Sequence, residues 1–191
     1  MTVPSPNSME PPAFSVAHPL DEFYARSGLA VPPLQQIDGE EVPEPYRRLL
    51  VHQQDMTSTL ENYHQQAVHL RVLGREQQGD QYYREVVLEL EGSGKPVEFG
   101  AIKIHLALFP PGAREEILKE RWPLGHILKE FAIVYSSRPK AFLRIASDRL
   151  ISKVLHLSGV HLLYGRRNTL LDSEDRPLAE IVEILPPERK P

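Results

Sequence analysis

Alternating apolar and polar residues predict five β-strands along the chain. Residues 66–74 alternate strictly, which is the period of a half-buried strand. Residues 82–90 and 97–109 continue the alternation on either side of a Gly-Ser-Gly-Lys-Pro turn. Residues 161–171 and 176–185 do so around the acidic turn DSED. Each of these two pairs predicts a β-hairpin, which joins antiparallel neighbours in a sheet.

Helical spacing of apolar residues occupies the segments between the strands. The predicted helices cover residues 45–54, 56–63, 111–121, 123–131 and 147–157. Asp55 is a suitable N-cap for the second of them, and Gly159 is the expected stop after the last. Hairpin strands combined with short helical blocks predict the α+β class, with a single antiparallel β-sheet and helices packed on one side.

Proline is concentrated at the front of the chain. Nine of the 18 prolines lie in residues 1–45 of a chain of 191. This composition predicts a Pro-rich, partly disordered N-terminal extension over residues 1–44, followed by one domain over residues 45–191. No apolar run is long enough for a signal-peptide core or a membrane span, so we expect a cytoplasmic protein without a membrane partner.

Composition and charge exclude several kinds of function. The chain has no cysteine, which excludes a disulfide scaffold, a thiolate nucleophile and a zinc–thiolate site. The eight histidines form no HExxH pair, so no metal site is expected. With 22 basic and 26 acidic residues the net charge is −4, which lacks the broad positive field of a nucleic-acid-binding protein.

Arg84 is a charge on the apolar side of its strand. One face of residues 82–90 holds Tyr82, Arg84, Val86, Leu88 and Leu90, and the other holds Tyr83, Glu85, Val87 and Glu89. The second face is expected to meet solvent, so Arg84 points toward the core. A buried guanidinium needs an anion, and its planar fork suits a carboxylate. The alternative is an internal acidic partner, or a side chain that reaches solvent at the sheet edge.

The last strand carries a similar feature. Its two faces hold Glu180 and Glu183 among aliphatic residues, so one of these carboxylates is expected to point inward. A buried glutamate has a raised pKa and exchanges a proton near neutrality. The alternative is an internal salt bridge with Arg84 or Arg166. An inward arginine and an inward glutamate also suit a small molecule with a carboxylate at one end and a hydroxyl at the other.

Five blocks of the sequence resemble, in order, those of the chorismate pyruvate-lyase family. The blocks are LLVHQQDMTSTLE (49–61), YYREVVLEL (82–90), WPLGHIL (122–128), LLYGRRNTLL (162–171) and RPLAEIVEILPP (176–187). The resemblance implies a carbon–oxygen lyase that converts chorismate to 4-hydroxybenzoate and pyruvate without metal or cofactor, in the biosynthesis of quinones or other aromatic metabolites. It also implies helical flaps over a buried ligand cavity in a monomer or small homo-oligomer.

The resemblance also assigns roles to individual residues. Arg84 matches the arginine that grips the ring carboxylate, and Glu183 matches the glutamate at the hydroxyl end, where it would act as general acid. Four further residues match positions that contact or support the substrate. These are Met56, Leu124, Arg166 and Arg167.

Two alternatives to this activity remain open. The stretch between Phe131 and Gly159 is longer than expected, which favours a lyase that gives a different hydroxybenzoate. The same fold resembles the effector-binding domain of certain bacterial transcription regulators, so a non-catalytic module that binds an aromatic carboxylate is the other alternative. Residues 1–45 are too short and Pro-rich for the winged-helix domain of such a regulator, which disfavours a complete regulator but not a lone binding module.

Overall fold

A computed structural model describes residues 15–188 as an α+β fold built on one antiparallel sheet of seven strands, which confirms the predicted class. The strands are β1 (Leu34–Ile37), β2 (Val68–Gln78), β3 (Gln81–Leu90), β4 (Pro96–His105), β5 (Ser136–Ala146), β6 (Leu162–Leu171) and β7 (Pro177–Leu185). Their order across the sheet is β1-β5-β6-β7-β4-β3-β2. The first fourteen residues of the predicted extension lie outside the described residues.

Six α-helices accompany the sheet in the described part of the chain. They are α1 (Leu20–Arg26), α2 (Tyr46–Leu50), α3 (Met56–His64), α4 (Pro111–Lys119), α5 (Leu124–Glu130) and α6 (Arg149–Val154). Short 3-10 turns cover Gly39–Glu41 and Leu106–Leu108. Within residues 15–188, no helix is long and apolar enough to cross a membrane.

Both predicted hairpins are present. β3 pairs with β4, and β6 pairs with β7, each antiparallel. In the turn between β3 and β4, Gly92 and Gly94 have φ angles of +79° and +65°, which glycine adopts without steric cost. The last predicted helix is shorter than expected, because α6 ends at Val154, five residues before Gly159.

Two strands come from segments outside the family resemblance. β1 lies in the predicted extension, and β5 lies in the long stretch between Phe131 and Gly159. They pair with each other, with Leu34 opposite Ile145 and Ile37 opposite Phe142. Part of the predicted extension therefore belongs to the sheet, and the extra stretch contributes a strand to it.

Helices α2 to α5 cover the sheet face that carries Arg84, and apolar side chains fill the layer between them. The opposite face, expected to be solvated, is also covered. Tyr83 and Val87 on that face pack with Phe23 and Tyr24 of α1, and α6 lies nearby. Tyr83, Glu85, Val87 and Glu89 are all buried. The expectation of a solvent face is wrong because α1, from the Pro-rich segment, and α6 shield it.

Candidate functional site

A cavity of about 60 Å³ lies between the centre of the sheet and the first turns of α3 and α5. That volume holds a few water-sized groups, and a ring-sized ligand requires the cavity to widen, since a cavity of roughly 150 Å³ is what admits benzene. Most of its lining is aliphatic, from β3, β4, β7 and α5. The polar side chains in the lining are Asp55, Thr57, Arg84, Glu98, Asn168 and Glu183. A mostly apolar lining with a few polar groups is the usual composition of a ligand site.

The register of three neighbouring strands forms the floor of the cavity. Val86, Gly100 and Glu183 lie side by side on β3, β4 and β7. Gly100 is required at this point, since a Cβ atom there would lie 2.3 Å from the carbonyl oxygen of Val182. The close approach of β7 to β4 brings Glu183 to the floor of the cavity.

Arg84 lines the cavity and forms no ion pair with the described part of the chain. It is 2% exposed, and among residues 15–188 no hydrogen-bond acceptor meets its Nε or Nη1 and no carboxylate lies within 4.0 Å. Burial lowers the pKa of Arg84 to about 10, so it is still a cation at neutral pH. The nearby carboxylate of Glu120 is already engaged, because it accepts hydrogen bonds from Tyr82 and Arg75.

Glu183 also lines the cavity, but its carboxylate is paired. The Nε of Arg166, on the neighbouring strand, donates a hydrogen bond to Oε2 of Glu183. Both side chains are almost completely buried. Of the alternatives for Glu183, the internal salt bridge with Arg166 is the arrangement found.

Arg166 lies behind the cavity and connects its floor to the loop before α3. Its Nη1 donates to the carbonyl oxygens of Leu50 and His52, each at 3.2 Å, and its Nη2 donates to that of Gln54 at 3.1 Å. Three backbone carbonyls and one carboxylate therefore satisfy this buried guanidinium. Arg166 therefore anchors residues 50–54.

Glu98 is a buried carboxyl group that the sequence analysis missed. It lies on β4 opposite Leu88 and is 5% exposed. Within the described residues, no protein hydrogen bond reaches its Oε2. Burial, with the nearby negative charge of Glu183, raises the pKa of Glu98 well above its usual range. A signal was available, since Glu98 shares its face of the strand with Gly100, Ile102 and Ile104.

The first turns of two helices form the roof of the cavity. Met56 begins α3 and Leu124 begins α5, and both side chains are buried in the cavity wall. Asp55 caps α3 as predicted, because its Oδ1 accepts a hydrogen bond from the Ser58 backbone at 2.8 Å. The helices touch closely: a Cβ atom at Gly125 would lie 2.7 Å from that same oxygen.

The structure thus places Arg84, Glu183, Met56 and Leu124 around one cavity. Arg167 points to the opposite face of the sheet, where it lies 3.8 Å from Glu180. The functional roles assigned to these residues by the sequence analysis remain predictions. Within residues 15–188, no group of three or more acidic or histidine side chains is arranged to hold a metal ion.

Solved structures share this fold at low sequence identity. PhnF from Mycobacterium smegmatis aligns with a TM-score of 0.55 and 11% identity, over 90% of this chain and 94% of that chain. The effector domain of PhnF aligns with a TM-score of 0.54 and 12% identity, over 71% and 90%. A GntR-family transcriptional regulator from Bacillus cereus aligns at 0.45 and 14% identity, over 65% and 94%. No protein-family model and no curated protein matches the chain.

These comparisons correct the predicted activity. The two structures with TM-scores above 0.5 share the chorismate lyase-like fold, and one of them is described as the effector domain of PhnF rather than as an enzyme. The prediction of a chorismate pyruvate-lyase, with its place in quinone or aromatic metabolite biosynthesis, is therefore wrong. The alternative of a non-catalytic binding module of the same fold agrees better with the neighbours.

Proposed function

We propose that the chain is a ligand-sensing domain that binds a small monoanionic molecule in the cavity under α3 and α5. The observation that carries the proposal is Arg84, a buried cation in the cavity wall with no acidic partner in the described part of the chain. One of the similar structures is the effector domain of PhnF, and a sensing role for this chain is consistent with that.

Electrostatics favours an anion as the ligand. Removing an ion from water costs several kcal/mol unless an opposite charge compensates it. In Arg166 that compensation comes from Glu183, whereas Arg84 forms no salt bridge within residues 15–188. The charge of Arg84 is then satisfied by a ligand, and a carboxylate fits its fork with two parallel hydrogen bonds.

The balance of charge in the cavity favours a single negative charge on the ligand. Arg84 is the cation among the polar lining residues, and Asp55, Glu98 and Glu183 all bear carboxyl groups. A dianion such as phosphate would bring a second, uncompensated charge toward these groups. The aliphatic lining and the small volume favour a compact apolar body behind the carboxylate.

Calorimetric titration with benzoate and with inorganic phosphate tests this function. We expect benzoate to bind and phosphate not to bind. Arg84→Met should weaken benzoate binding about 100-fold or more, since it removes the charge that pairs with the carboxylate. Arg84→Lys should also weaken it, because an ammonium cannot form the two parallel hydrogen bonds.

Arg138→Met is the matched control for the effect of Arg84→Met on benzoate binding. Arg138 is a surface residue that pairs with Asp175 and does not line the cavity, so Arg138→Met should leave benzoate binding unchanged. Binding of benzoate with equal affinity to the wild type and to both Arg84 variants would contradict the proposal. A preference for phosphate over benzoate would contradict the monoanion assignment.

A further inference from the structure

The second unpartnered group in the cavity is Glu98, and it lies at the other end from Arg84. Arg84 is opposite Ile102 on β4, whereas Glu98 is opposite Leu88. Four residues along a strand span about 13 Å, and both side chains point to the same face and line the same cavity. A ligand held by Arg84 therefore extends toward Glu98.

The surroundings of Glu98 determine its charge. Glu183 of β7 and Asp55 at the start of α3 line the same cavity, and their negative charges act on Glu98. The positive charge of Arg166 on β6 also acts on it, but that guanidinium is bonded to Glu183 and to backbone carbonyls. Arg84 of β3 is the other cation of the cavity. In residues 15–188, no cation lies within 4.0 Å of Glu98, and a buried carboxyl group without a counter-ion is neutral.

We infer that Glu98 is a protonated carboxylic acid that donates a hydrogen bond to the ligand, and that the ligand is a monoanion with an uncharged hydrogen-bond acceptor at the end away from Arg84. The inference rests on the proposed function and specifies the class of ligand. A carboxylic acid offers one O–H donor at its Oε2 or Oε1, and Oε2 has no acceptor within the described protein. A ligand that ends in a carbonyl, ether or hydroxyl oxygen supplies that acceptor.

A cationic end on the ligand is the competing possibility. An ammonium group would pair with an ionised Glu98 and make the ligand a zwitterion. The surroundings of Glu98 disfavour a cationic end, because it requires Glu98 to be ionised close to Glu183 in a buried site. A nearby like charge disfavours ionisation. The two possibilities predict opposite responses to pH.

Three benzoates that differ only at the para position test the inference. They are 4-formylbenzoate with an acceptor, 4-methylbenzoate with an apolar group, and 4-(aminomethyl)benzoate with a cation. We expect the wild type to bind the formyl compound about tenfold more tightly than the methyl compound, and to bind the ammonium compound most weakly. The formyl preference should disappear as the pH rises and Glu98 loses its proton.

Two substitutions at Glu98 complete the test. Glu98→Gln retains an N–H donor, so it should retain the formyl preference and lose its dependence on pH. Glu98→Leu should abolish the preference. Tightest binding of the ammonium compound, or equal binding of the formyl and methyl compounds, would overturn the inference. The methyl compound separates the two proposals, because its binding depends on Arg84 alone.

A measurement without ligand makes the inference testable even if none of the three compounds binds. Protonated carboxyl groups give an infrared carbonyl band distinct from that of carboxylates. We expect the ligand-free wild type to show such a band at neutral pH, and we expect the band to be lost in Glu98→Gln. The control Glu174→Gln, at a side chain that is 68% exposed, should leave it unchanged. Identical spectra of wild type and Glu98→Gln in this region would overturn the inference.

Discussion

Arg166 and Glu183 lie directly opposite each other on neighbouring strands, and the Nε of Arg166 donates a hydrogen bond to the carboxylate of Glu183. The two fully buried arginines near the cavity in the described chain therefore differ in their partners. Arg166 has an acidic partner and three carbonyl acceptors, and it supports the fold. Arg84 has no acidic partner there, so we assign it to the ligand.

Replacing Arg84 should separate stability from binding. Arg84→Met removes a buried charge without a counter-ion and fills its place with an apolar side chain of similar length. We expect the free energy of unfolding of the ligand-free protein to rise by about 1 kcal/mol or more, while benzoate binding is lost. Urea unfolding measures the change, and Arg138→Met at the surface is the control, with an effect within about 0.5 kcal/mol. Strong destabilisation by Arg84→Met would show that the protein itself pairs with this residue.

Replacing the arginine of the buried Arg166–Glu183 pair should destabilise the protein, in contrast to Arg84→Met. Arg166→Met leaves the Glu183 carboxylate without its partner, and it removes the anchor of residues 50–54. The free energy of unfolding should fall by about 3–5 kcal/mol. Combining it with Glu183→Leu should recover part of the loss, because no unpaired charge is then left. A double-mutant cycle in urea measures this coupling, and additive effects of the two substitutions would contradict the pairing.

The contact between the two roof helices gives a third prediction. Alanine is a better helix former than glycine by about 1 kcal/mol, so helix propensity alone favours Gly125→Ala. A Cβ atom there would lie 2.7 Å from both Oδ1 of Asp55 and Oγ1 of Thr57. We therefore expect net destabilisation of about 1–3 kcal/mol and weaker benzoate binding, since α5 must move away from α3.

Gly112 in α4 provides a matched comparison for Gly125. Its added Cβ would lie 2.9 Å from Phe131, a partly buried side chain at the end of α5 that is able to shift. Thermal unfolding of both variants should show a smaller loss for Gly112→Ala, with benzoate binding preserved. Equal stability of Gly125→Ala and wild type would show that the roof helices are not tightly packed.

Part of this site was predictable from local sequence pattern. Alternation in residues 82–90 placed Arg84 on the cavity face, since a strand fixes the direction of each side chain, whereas alternation in residues 176–185 left Glu180 and Glu183 as alternatives. The same rule applied to residues 97–105 indicates that Glu98 faces inward. The pattern could not decide the partner of Glu183, because that depends on the register between β6 and β7.

Other features depend on contacts between distant parts of the chain. β1 has only four residues and pairs with β5 more than a hundred residues later, so no local signal predicts it. Residues 141–145 alternate within β5, but Pro139 interrupts the run that precedes them. The burial of Glu85 and Glu89 was missed for a similar reason. It depends on α1 and α6, which cover their face of the sheet.

The charge state of Glu98 should appear in the pH dependence of stability. Its pKa in the folded protein is raised above the usual 4.5, so the folded state holds this proton more tightly than the unfolded state. The stabilising contribution of this proton to the free energy of unfolding is fully present below pH 4.5. It is lost as the pH rises through the pKa of Glu98 in the folded protein. Glu98→Gln has no group that titrates at this position. Its free energy of unfolding should therefore rise relative to that of the wild type as the pH increases from acid to neutral.

Urea unfolding of both proteins over this pH range measures the difference, and all other titrating groups are common to the two. A stability difference that is independent of pH would contradict the raised pKa. A difference that changes in the opposite direction would show that Glu98 is ionised and paired in the folded protein.

The crystal structure of the protein with 4-bromobenzoate would test the central claim most directly, because the anomalous signal of bromine locates the ligand independently of the protein. We predict a single bromine position inside the cavity beneath Met56 and Leu124, with the carboxylate within hydrogen-bond distance of Nε and Nη1 of Arg84. Bromine bound outside the cavity, or a carboxylate bound away from Arg84 while both nitrogens contact protein atoms, would contradict the claim that Arg84 is the ligand's counter-ion.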